Sequence, residues 1–149
     1  GVRRSRLLSR TARVALWVMA GLGASWSVAA ILLETIPGTA GVLVPPPGYL
    51  PGVREIADRY GIMLILDEVM CGMGRTGTLF ACEQEGISPD IVTIAKGLGA
   101  GYQPIGAMLC TAKIYDAIAA GSGFFQHGHT YMGHPVATAA SRASLGTAT

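Results

Sequence analysis

Residues 62–69, IMLILDEV, and residues 91–96, IVTIAK, decide the fold. Ile62 to Leu66 is an unbroken apolar run, the pattern of a strand covered on both faces of a parallel sheet. It ends in Asp67-Glu68, and the shorter run Ile91 to Ile94 ends in Ala95-Lys96. Ligands gather at the carboxyl ends of strands in open parallel sheets. An acid and an amine closing two such strands can therefore face one crevice, or they can be ordinary solvated charges beside the sheet.

Outward from these runs, the pattern alternates strands and helices, which points to a layered α/β sheet. Val28 to Leu33 (VAAILL) reads as a further buried strand, followed by a loop whose Pro45-Pro46-Pro47 excludes regular structure. Leu50 to Tyr60 reads as a helix. Pro51 suits its first turn, Val53, Ile56, Ala57 and Tyr60 fall at helical spacing, and Gly61 stops it. Ile105 to Cys110 is another strand, and Thr111 is placed to cap a helix to about Ala120. The tail Ser141–Thr149 (SRASLGTAT) lacks apolar periodicity, so no helix is expected there.

The chain has 149 residues, half of them hydrophobic and 13% charged, which excludes a disordered polymer. Its net charge of +2 comes from Arg3, Arg4, Arg6, Arg10 and Arg13. From residue 14 onward six basic residues stand against nine acidic ones, a balance of −3, with no basic stripe for nucleic acid. Cys71, Cys82 and Cys110 form no CxxC pair and suggest unpaired thiols in a reducing cytoplasm. Val14 to Leu33 is uncharged and follows the arginines, which raises a membrane or secretory reading. Gly21, Gly23, Ser25 and Ser27 weaken it as a helix, so membrane association is not expected. Residues 1–27 thus stand apart from the α/β pattern. With Gly1 in place of methionine, they suggest an internal fragment or a disturbed reading frame.

Two other patterns offer rival chemistry. Gly72-Met73-Gly74-Arg75-Thr76-Gly77 matches the GxGxxG form of a dinucleotide fingerprint, but only Thr78–Glu85 remains for the crossover helix it needs. His127, His129 and His134 have no carboxylate within their cluster, and no metal site is expected.

Taken in order, ILLETIPGTAGVLVPPPGYL, LILDEVMCGMGRTG, LFACEQEGISPDIVTIAKGLGAGYQPIGAML and HGHTYMGHPVATAA resemble consecutive signatures of the class III aminotransferases. The resemblance covers residues 28–140 and leaves 1–27 and 141–149 unmatched. It implies part of the large pyridoxal-phosphate (PLP) binding domain of the type I aminotransferase fold, an α/β unit with a mostly parallel sheet flanked by helices. The activity implied is transfer of an amino group from an amine or amino acid donor to a 2-oxo acid acceptor. Lys96 would bind PLP covalently, Asp67 would pair with its ring nitrogen, and Val69 would pack on the ring face. Thr130 would donate to the cofactor phosphate of the neighbouring subunit in a homodimer. Met70 departs from the glutamine that many members carry, and Thr39 from the glutamate of some. The family's phosphate cradle and small domain have no counterpart in the chain, so this piece alone is expected to show little activity.

Overall fold

The computed structural model describes residues 28–147. Four strands, β1 (Ala30–Glu34), β2 (Met63–Asp67), β3 (Ile91–Ile94) and β4 (Ala107–Cys110), lie side by side in that order. β1, β2 and β3 are parallel, with Glu34 opposite Asp67 and Asp67 opposite Thr93. β4 returns antiparallel to β3. The sheet is mostly parallel, as the sequence implies, and β4 is shorter than the expected Ile105–Cys110 run. Helix α1 (Tyr49–Tyr60) starts after Gly48 and ends on Gly61, both in the left-handed region that a residue without Cβ enters readily.

Strand alternation explains the core. Leu64 and Leu66 point to one face, are fully buried, and pack with Leu50 and Ala57 of α1 and with Cys82. Burying a leucine side chain contributes about 1.5–3 kcal/mol. Val92 and Ile94 extend this face across β3 and meet Leu98, Phe80 and Ile105. The opposite face differs from the expected double cover. Leu32 is 66% exposed and Met108 46%, so among the described residues that face stays open.

The amino ends of β2 and β3 are tied by Asp90. Its Oδ2 accepts hydrogen bonds from the Leu64 amide at 2.8 Å and from Arg54 Nη1 at 2.7 Å. Burial opposes the charged form of Asp90, but the Leu64 amide and the Arg54 guanidinium outweigh it and hold the carboxyl below its ordinary value. A folded pKa below the unfolded one gives stability above about pH 4 that is lost as pH falls through the lowered value. Asp90→Ala should cost about 2 kcal/mol in urea unfolding at pH 7, because the Leu64 amide loses its acceptor. The difference from wild type should shrink below about pH 4. An equal urea midpoint at pH 7 would show that Asp90 is no clamp.

Two expectations at the carboxyl-terminal end are corrected. Residues 141–147 lack apolar periodicity and yet are helical: helix α3 runs Pro135–Thr147, and α2 (Ala112–Ala120) precedes it. The inner face of α3 uses small residues, with Ala137 and Ser141 buried, so no large apolar stripe marks it. Pro135 opens its first turn, where a missing amide costs nothing. Thr111 does precede α2, but its hydroxyl makes no capping hydrogen bond and finds no partner among the described residues.

Candidate active site

Asp67 closes β2 and Lys96 stands two residues beyond β3, so both lie at the carboxyl edge of adjacent parallel strands. Asp67 Oδ1 accepts from the Val69 amide at 2.9 Å, which leaves Oδ2 without a hydrogen-bond partner among the described residues. Glu34 stands opposite Asp67 in register, and Glu68 follows it. Glu34 and Asp67, side by side in register, make this edge a place for a cationic group, while Glu68 turns to the buried face.

Lys96 begins a 3₁₀ turn, Lys96–Gly99, with φ of 44°, in the left-handed region. A residue with a Cβ enters that region at a cost of roughly 1–2 kcal/mol. The surroundings hold it there. The Leu98 amide bonds to the Ala95 carbonyl at 2.9 Å, and Leu98 is buried against Val92 and Ile94. Helix α3 packs on this turn, and Ser144 Oγ donates to the Gly97 carbonyl at 3.5 Å. A Cβ on Gly97 would lie 2.8 Å from Met73 Cβ, so only glycine follows Lys96 without displacing the neighbouring loop.

The lysine side chain turns toward β2. Its Nζ donates to the Met70 thioether sulfur, three residues past Asp67. Met70 packs from its other side on Gly38, where a Cβ would meet Met70 Cε at 3.2 Å. The structure therefore brings Lys96, Val69 and Met70 to the end of β2 that Asp67 closes. Thr130 is not among them. It lies exposed in the turns between α2 and α3.

Glu68 received no role from sequence reasoning, and it is the most completely enclosed acid here. It is fully buried, with both oxygens hydrogen-bonded to Thr35, Ala81 and Cys82. Burial, then the neighbouring Glu68 charge, pushes the Cys71 thiol up to about 11 and the Cys82 thiol up to about 12. Neither thiol is a nucleophile near neutral pH.

The rival patterns lack their structural context. Gly72–Gly77 forms turns that lead to the short 3₁₀ helix Ala81–Glu85, with no crossover helix to seat a pyrophosphate. His127 stacks edge-on to both Phe125 and His129, with ring centroids 5.8 and 5.0 Å apart. Among the described residues no group of three His, Cys, Asp or Glu side chains could hold a metal ion. No described helix is long and apolar enough to cross a membrane, and the uncharged stretch before residue 28 lies outside the described residues.

This edge offers an amine in a left-handed turn at the end of β3 and, at the end of β2, a carboxylate with one oxygen unpartnered among the described residues, the kinds of group that a PLP site uses. Its donor set fits that cofactor, since an aldehyde needs an amine and a pyridinium needs an anion. Comparison with known proteins takes this further. The sequence model of the class III aminotransferases matches residues 16–149, and the chain belongs to that family. The match extends beyond residues 28–140 at both ends.

An acetylornithine aminotransferase of Xylella fastidiosa is 54% identical over 118 residues, covering 79% of this chain and 28% of its own length. An aminotransferase of Gibberella zeae is 53% identical over 116 residues, covering 77% and 23%. This chain thus spans about a quarter of the curated relatives it matches. Among solved structures, an (S)-enantioselective omega-transaminase of Thermomicrobium roseum superposes with a TM-score of 0.76 at 47% identity. That match covers 80% of this chain and 27% of the other. A taurine:2-oxoglutarate aminotransferase of Bifidobacterium kashiwanohense, solved with PLP and glutamate, gives 0.74 at 46%, covering 78% and 26%.

Proposed function

We propose that the protein carrying this chain is a PLP-dependent transaminase that moves an amino group from an amine or amino acid to a 2-oxo acid. One observation carries the reading: the Lys96 amine reaches across from the end of β3 to the segment that follows Asp67 at the end of β2. When bound, PLP supplies a carbonyl carbon that accepts the amino group and a cationic ring that draws electrons from the substrate carbon. Lys96 Nζ would hold the cofactor and, once displaced by the incoming amine, would carry the proton from the substrate carbon to the cofactor. The Asp67 carboxylate would keep the proton on the ring nitrogen, because a nearby anion favours the charged form. Val69 would shield the ring face from water.

Family membership and the exposed position of Thr130 support two further parts of the reading. Two copies of the protein would share the site, and Thr130 would donate to the cofactor phosphate held by the other copy. Three unpaired cysteines support a reducing cytoplasm as its location. Thr39 in place of the glutamate of some members speaks against adopting their substrate preference.

Treating the full-length protein with PLP, reducing with borohydride and mapping the label by mass spectrometry tests the reading. The label is expected on Lys96 and not on Lys113, the other lysine of this chain. A Lys96 peptide that stays unmodified overturns it.

A further inference from the structure

Leu64, Leu66 and Glu68 occupy successive positions on one face of β2 and its extension, and all three are fully buried. The first two are leucines in the core, where another apolar side chain would be the cheaper choice for stability alone. A buried charge in that row costs free energy unless its surroundings are built for it. They are. Oε1 accepts from Thr35 Oγ1 at 2.7 Å and from the Cys82 amide at 2.9 Å. Oε2 accepts from the Ala81 amide at 2.8 Å and the Cys71 thiol at 3.5 Å. Four donors match the acceptor sites of an ionised carboxylate, and no Lys, Arg or His salt bridge is made to it among the described residues.

The donors come from three separate pieces of chain: the residue after β1, the turn after β2, and the start of the 3₁₀ helix Ala81–Glu85. Asp67 sits among the same pieces. Its carbonyl accepts from the Thr35 amide at 3.4 Å, and the Glu68 amide donates to the Thr93 carbonyl at 2.9 Å. Successive side chains of a strand point to opposite faces. Rooting Glu68 on the buried face therefore turns the Asp67 carboxylate to the other side and fixes the rotation of the strand end that carries it.

We propose that Glu68 is a positioning residue: its buried four-donor clamp sets the direction and distance at which Asp67 meets the pyridine nitrogen of PLP. This inference rests on the transaminase reading above.

The test uses the full-length protein and reads cofactor binding and the pH titration of the lysine-bound cofactor's absorbance, below any unfolding. Glu68→Gln keeps the shape but turns an NH2 toward two donors. It should weaken PLP binding about tenfold, within the range that outer hydrogen-bond partners command, and move the titration midpoint by about one pH unit. Thr35→Val removes one donor and should weaken binding about threefold. Leu66→Ala is the control on the same face: it should lower the urea midpoint without moving the titration. In a protein already carrying Asp67→Asn, Glu68→Gln should add almost nothing, since its effect passes through Asp67.

Wild-type binding and titration in Glu68→Gln overturn the proposal, as does an equal effect in the Asp67→Asn background. If Glu68→Gln does not fold, Thr35→Val decides, and unchanged binding there overturns it. A wild-type protein with no lysine-bound cofactor band overturns the transaminase reading and this inference with it.

Discussion

Lys96→Ala in the full-length protein is expected to lower the transamination rate by at least about 10³-fold, because in the proposed reaction one amine both holds the cofactor and moves the proton. The fold should not notice. Lys96 is exposed, and its 3₁₀ turn is held by backbone hydrogen bonds, by Leu98 and by α3, none of which needs the amine. The left-handed φ of 44° strains alanine as it strains lysine, so unfolding free energy should stay within about 0.5 kcal/mol. Lys96→Arg should fare no better in catalysis, since a guanidinium is protonated at any working pH and cannot accept a proton. Steady-state transamination with matched urea curves checks this. A Lys96→Ala protein with a tenth of the wild-type rate would assign the proton transfer to another group.

How much of this could be seen beforehand depended on how each element is held. β2 and β3 were legible because an apolar run closed by a charge reads the same way wherever a parallel sheet is covered. The direction of β4 was not, because Ala107–Cys110 is four residues long and its hydrogen-bond sense depends on the chain between it and β3. Helix α3 escaped notice for a packing reason: it closes on the Lys96 turn, where Ser144 meets Gly97, and its buried positions are the small Ala137 and Ser141. The family resemblance supplied Lys96 and Asp67 with roles that strand ends alone left even. Glu68 had a readable signal. Continuing the alternation of Leu64 and Leu66 by one step puts it on the buried face, where an acid needs donors. Those donors, Thr35, Ala81 and Cys82, lie 33, 13 and 14 residues away and converge only in the folded chain.

The open sheet face has the same kind of cause. Leu32, Met63 and Met108 point away from α1 and stay exposed among the described residues, although β2 has the composition of a doubly covered strand. An apolar run shows that a strand can be covered on both faces, but not which segment covers it.

Asp67→Asn should leave the backbone as it is and still weaken catalysis by about 10²–10³-fold, the loss typical of removing one preorganised group that stabilises developing charge. The amide is isosteric, and its oxygen can still accept the Val69 amide bond that Asp67 Oδ1 takes at 2.9 Å, so the turn after β2 survives. What it lacks is charge. A neutral partner cannot hold a proton on a ring nitrogen as an anion does, and Glu34 and Glu68 cannot replace it. Glu34 accepts the Gly38 amide at 3.0 Å, and the oxygens of Glu68 are committed to their donors on the buried face. Asp67→Glu keeps the charge but displaces it by one methylene, so it should recover part of the rate while Asp67→Ala recovers none. The decisive comparison is a single turnover of each variant loaded with PLP, where product release no longer masks the proton step. If asparagine performs as well as aspartate there, the charge at the end of β2 has no part in the reaction, and the site must be assigned a different electron-withdrawing partner.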